Sequence, residues 1–72
     1  MAQANNMPRF TPRELELLPL LASGLTLREA AERMYVSYKT AEGHRTSLFR
    51  KCGVRNCVEL ARYAIRNKLI DL

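Results

Sequence analysis

Residues 26–52 read TLREAAERMYVSYKTAEGHRTSLFRKC, and the fold turns on how this stretch divides. Thr26-Leu27-Arg28-Glu29 is a capping box: the threonine hydroxyl can accept from the Glu29 amide while the Glu29 carboxylate reaches back to the amide of Thr26. Leu27, Ala30, Ala31 and Met34 then recur at i, i+3, i+4 and i+7, which predicts a short helix with one apolar face. After Tyr35-Val36 comes Ser37, an N-cap residue for another helix that runs to about Cys52 and closes at Gly53. Ala41, Leu48, Phe49 and Cys52 line its inner side. Two short helices joined by about four residues, small Ala30 and Ala31 at the crossing, and an apolar Val36 in the turn make the pattern of a helix-turn-helix.

The flanks extend this reading. Thr11-Pro12-Arg13-Glu14 is a second capping box with proline at the first helical position, where its missing N–H costs nothing. The helix it opens is expected to carry Leu15, Leu18, Leu21 and Ala22 on one stripe and to stop at Gly24. Pro19 lies inside it and predicts a bend between Leu15 and Pro19. Asn56-Cys57-Val58-Glu59 opens a fourth helix ending near Asn67. No run alternates apolar and polar residues between turn signals, so the chain is expected to be all-α, with four helices. Residues 1–10, rich in Asn, Gln and Pro, read as a tail or linker remnant, and residues 11–72 as the folded domain.

Length and composition limit what such a fold can do. Seventy-two residues make at most one small domain, too small for a roomy catalytic cleft or for an added receiver or ligand-sensing domain. Control is then expected through the amount of protein made, or through a larger protein of which this chain is the output piece. No nucleophile–base pair, carboxylate pair or Gly-rich phosphate loop stands at workable spacing, so no enzyme and no cofactor is expected. Cys52, Cys57 and His44 fall short of a four-ligand zinc set, which leaves two reduced thiols, Cys52 filling a core slot. The uncharged stretch 17–27 is broken by Pro19 and Gly24, which excludes a membrane span there, and the opening residues lack the pattern of a signal peptide. The cytoplasm is the expected compartment.

The net charge of +5 is unevenly placed. Residues 1–37 hold four arginines against four glutamates, whereas residues 38–72 hold eight basic side chains against three acidic ones. Such asymmetry suits a surface that meets phosphate, although a merely solvated basic face has the same composition. Ser37-Tyr38-Lys39-Thr40 brings unpaired amides, hydroxyls and a lysine to one helix start, a grip that can aim the helix into a major groove.

Beyond these signals, residues 10–70 resemble the DNA-binding domain of LuxR/FixJ-type (GerE-like) transcriptional regulators. The motifs that carry the resemblance are TPRELE, LLASGLT, EAAER, VSYKT, HR, LFRKCGVRN and VELARYAI. Region 4 of bacterial sigma factors is similar over residues 11–50, but the V-R-N-x-V-E-L segment favours the LuxR/FixJ type. The resemblance implies that the third helix reads double-stranded DNA and that the fourth makes a dimer contact. It implies phosphate contacts at Ser37, Lys39 and Thr40, with Lys51 a weaker candidate, and base-edge contacts at Glu42, Gly43 and Thr46. Members of the family often carry lysine or another long donor where Glu42 stands; Glu42 can accept from cytosine N4 but is repelled by phosphate, and Gly43 supplies no side chain. His44 either donates to phosphate, as the match implies, or packs at the rim of the core; Arg45 is expected on phosphate, with covering the core as the alternative. The family tends to place glycine after the fourth helix, and Asn67 in the left-handed region is expected to substitute.

The fourth helix carries two apolar stripes. Val58, Ala61, Arg62 and Ile65 form one, expected to meet a second copy of the chain, while Leu60 and Ala64 form the other, turned to the chain's own core. RNA polymerase and a related regulator are further partners open to such a domain. A different class of function is also open: an interaction module that pairs with a related regulator through the fourth helix and blocks it.

Overall fold

The computed structural model describes residues 8–70, and these form helices in the order α1 (Pro12–Ala22), α2 (Leu27–Met34), α3 (Tyr38–Cys52) and α4 (Cys57–Arg66). No strand occurs among the described residues, so the fold is all-α, as expected. Each helix starts where its capping residue predicts. The hydroxyls of Thr11 and Thr26 accept from the amides of Glu14 and Glu29 at 3.1 Å, and both glutamates return a bond to the cap's own amide. Ser37 Oγ accepts from the Thr40 amide at 3.0 Å, and Asn56 Oδ1 from the Glu59 amide at 2.9 Å. Glu59 departs from the box pattern: its carboxylate accepts from the amide of Arg55, one residue before the cap.

The helix ends share one device. A residue with positive φ follows each helix, Gly24 (+105°), Tyr35 (+59°), Gly53 (+70°) and Lys68 (+59°), and an apolar residue follows it. The amides of these pairs turn back onto the last helical carbonyls: Val36 to Ala31 at 3.1 Å, Val54 to Phe49 at 3.1 Å and Leu69 to Ala64 at 2.7 Å are the longer-range bonds of three of them. This is the Schellman arrangement, in which the apolar follower packs beside the helix it has just left. Val36, Val54 and Leu69 all lie against the core. The end of α4 corrects the sequence reading. Asn67 keeps φ −97°, because its amide and its Nδ2 both donate to the Tyr63 carbonyl, and the left-handed step falls one residue later, on Lys68.

The core is one cluster: Leu17, Leu18 and Leu21 of α1, Leu27, Ala30, Ala31 and Met34 of α2, Ala41 and Leu48 of α3, and Leu60 and Ala64 of α4. α1 touches the three other helices, and α2 packs on α3, each giving small buried residues to the core: Ala30 and Ala31 from α2, Ala41 from α3. The stripe expected on α1 is displaced by one residue. Leu15 is 48% exposed and Leu17 fully buried, because the inward row is Glu14, Leu17, Leu18 and Leu21. A carboxylate thus occupies a core position and turns Leu15 outward. α1 runs as one helix through Pro19, which is exposed. Phe10 and Ile70, at the two ends of the described chain, pack against the core from outside the helices.

Candidate nucleic-acid interface

α3 presents one row of side chains away from the core. Lys39, Glu42, Gly43, Thr46 and Arg50 stand at i, i+3, i+4, i+7 and i+11, and all are exposed. The three positions expected to read base edges, Glu42, Gly43 and Thr46, therefore share a face with the expected phosphate contact Lys39. Gly43 has helical backbone, and a Cβ built on it would meet nothing within 4 Å, so this face is open at its middle. Arg50 belongs to the same row and escaped the sequence reading; its place one helical turn after Thr46 was the available signal.

The start of α3 differs from the starts of the other helices. α1, α2 and α4 each hold a glutamate in the first turn, Glu14, Glu29 and Glu59, which offsets the positive end of the helix dipole. α3 holds none; Thr40 takes the place of the glutamate. Ser37 Oγ donates to Thr40 Oγ1 at 2.9 Å, which leaves the Thr40 hydroxyl proton available to a ligand. The amides of Tyr38 and Lys39 have no acceptor within the helix. Ser37, Lys39 and Thr40, the three expected phosphate contacts, are all exposed at this helix start.

His44 and Arg45 are half-buried and flank the core-facing row of Ala41, Leu48 and Cys52 on either side. Lys51 faces inward. Its Nζ lies 2.7 Å from Glu14 Oε1 and 2.8 Å from the Arg9 carbonyl, while Ser47 Oγ donates to Glu14 Oε2 at 2.6 Å. Burial by itself would push the Glu14 carboxyl up. Hydrogen bonds from Lys51, Ser47 and the Thr11 amide, helped by the lysine charge, outweigh it and hold the group down at about 2. The cationic head of Lys51 is thus engaged in tying α3 to α1.

On α4 the two stripes separate as the pattern implies: Leu60 and Ala64 are buried, whereas Val58 is 65% exposed, Arg62 exposed, and Ala61 and Ile65 half-buried. Ala61 and Ile65 continue into a shallow groove of about 600 Å³ shared with Pro19, Ala22 and Leu69. Cys52 packs against the core, where burial and then the nearby Glu14 charge push its thiol up, and Cys57 is exposed; both are free thiols. No helix among the described residues is long and apolar enough to cross a membrane.

A helix-turn-helix whose second helix turns an open, donor-bearing row and an unneutralised N-terminus to solvent defines a DNA-reading class of domain. The profile of bacterial regulatory proteins of the luxR family matches residues 8–64, and the chain belongs to that family of DNA-binding transcription regulators. It is 46% identical over 62 residues to the oxygen regulatory protein NreC of Staphylococcus aureus strain JH9, and equally to that of strain USA300. Each alignment covers 86% of this chain and 29% of the relative, so the chain spans less than a third of these proteins. Among solved structures, the response regulator ChrA of a heme-sensing two-component system superposes with a TM-score of 0.80 at 28% identity, over 93% of this chain and 33% of that one.

Proposed function

We propose that the domain binds double-stranded DNA by laying α3 in the major groove, with Ser37, Lys39 and Thr40 on phosphate and Glu42, Gly43 and Thr46 toward the base edges. The observation that carries this reading is the coincidence, on one helix, of a first turn without an acidic residue and a fully exposed row ending in Arg50. A helix of 15 residues is about 22 Å long and fits a groove about 12 Å wide. His44 and Arg45, half-buried at the shoulders of the helix, are second-line phosphate contacts in this reading, and Lys51 acts mainly by fixing α3 on α1. Two copies associate through Val58, Ala61, Arg62 and Ile65, which sets two recognition helices about one DNA turn apart. The domain is the output part of a response regulator, works in the bacterial cytoplasm on promoter DNA and needs no cofactor.

Binding to a duplex of random sequence tests the reading. The logarithm of affinity falls linearly with the logarithm of salt concentration, and Lys39→Ala lowers that slope by about one while weakening all sequences alike. Absence of duplex binding at low salt would contradict it.

A further inference from the structure

The first half of the chain is electrically neutral, yet one of its arginines is held beside the start of α3. Arg28, in the first turn of α2, places its guanidinium carbon 4.9 Å from the ring centre of Tyr38, the first residue of α3. The adjacent acid does not neutralise it: the Glu29 carboxylate is taken up by the amide and hydroxyl of Thr26. Arg28 makes no ion pair and no side-chain hydrogen bond among the described residues. The ring therefore engages the guanidinium through its π face and leaves the five N–H donors at the edge unspent.

We infer that Arg28 is an additional phosphate-contacting residue of this domain and that Tyr38 is the positioning residue that aims it. The inference rests on the DNA-binding reading above and extends the contact surface from α3 onto α2. Four features argue for it. The stack joins the first turns of the two helices of the helix-turn-helix, so Arg28 is held at the end of α3 that begins with Tyr38. Both residues are exposed, so the stack adds little to the core and is available to a ligand. A guanidinium with its edge free offers a bidentate fork to a phosphate, a geometry that a lysine at the same place cannot supply. Holding the side chain against the ring also lowers the entropy lost when it meets the backbone of the duplex.

The experiment measures binding of the 72-residue chain to a fluorescent random-sequence duplex over a series of salt concentrations, for the wild type, Arg28→Ala, Arg28→Lys, Tyr38→Leu and Tyr38→Phe. Thermal melts confirm that each variant folds. Arg28→Ala is expected to weaken binding on the order of fivefold at low salt and to reduce the salt slope by about one. Arg28→Lys restores the slope but only part of the affinity. Tyr38→Leu weakens binding without removing a charge, and Tyr38→Phe, which keeps the ring, binds as the wild type does; a purely structural role for Tyr38 would not produce that rescue together with an unchanged melting temperature. If Arg28→Ala keeps the wild-type slope while Lys39→Ala loses one unit, the inference is overturned and the DNA-binding reading stands. If Tyr38→Leu binds as tightly as the wild type, the positioning role is wrong. If the wild type shows no salt-dependent duplex binding, both fall together.

Discussion

Lys51 of α3 reaches Glu14 of α1 across 37 positions of sequence, with 2.7 Å between Nζ and Oε1, and the carboxylate it meets is only 3% exposed. Ser47 and the Thr11 amide complete the shell around that carboxylate, so α3 is fastened to α1 by a charged link as well as by Leu48.

That link sets an acid limit on stability. The Glu14 carboxyl sits at about 2 in the folded chain against an ordinary 4.5, so folding is favoured by its ionisation. The stabilisation is fully present above about pH 4.5 and is lost as the pH falls toward 2, a change on the order of 2–3 kcal/mol. Glu14→Gln flattens the pH dependence in that window. It also removes the charge opposite Lys51, which keeps its bond to the Arg9 carbonyl, and is expected to cost on the order of 1–3 kcal/mol at neutral pH. Urea denaturation from pH 2.5 to 7 checks both; an unchanged acid transition in Glu14→Gln would show that other carboxylates set it.

Tyr35 is 94% exposed and holds φ +59°, the conformation that Gly24 and Gly53 supply at the ends of α1 and α3. An L-residue pays about 1–2 kcal/mol there, part of which glycine returns as greater freedom when unfolded. Tyr35→Gly is expected to raise stability by about 1 kcal/mol in chemical denaturation. A loss of stability would mean that the tyrosine ring makes a contact that outweighs the strain.

Gly43 interrupts α3 at a position with ordinary helical backbone and open space around it. Gly43→Ala should therefore stabilise the fold by about 1 kcal/mol, with no clash to offset the gain. A melting temperature at or below that of the wild type would contradict this.

The exposed side of α4 separates association from folding. Val58→Asp places a charge in the proposed dimer contact while leaving Leu60 and Ala64 untouched in the core. Light scattering is expected to show a monomer where the wild type dimerises, with the melting temperature of the monomer unchanged. A variant that still dimerises would move the interface elsewhere.

Much of this architecture could be read from local chemistry. Thr11, Thr26, Ser37 and Asn56 mark the helix starts because a cap is a contact over three residues, and the inward row of α2 follows from spacing alone. What could not be read depends on partners far along the chain. The inward row of α1 begins with Glu14, and a carboxylate is credible in a core only once Ser47 and Lys51 are seen beside it. For the same reason Lys51 reads as a free cation until its acceptor is known. The left-handed step at Lys68 rather than Asn67 follows from a hydrogen bond of the asparagine side chain to Tyr63, a choice between neighbours that composition does not decide. Among the candidate site residues, Glu42, Gly43 and Thr46 came from the family resemblance, and helical spacing puts them on one face with Lys39, whereas Arg28 required the crossing of two helices.

α3 is the proposed surface that meets DNA. Titrating the isotope-labelled chain with a short duplex and following the backbone amide resonances tests it most directly. The largest shifts are expected at Ser37, Tyr38, Lys39, Thr40, Gly43 and Thr46, with little change at Leu60 or Ala64. Shifts concentrated on another face, with residues 37–46 unmoved at saturation, would contradict it.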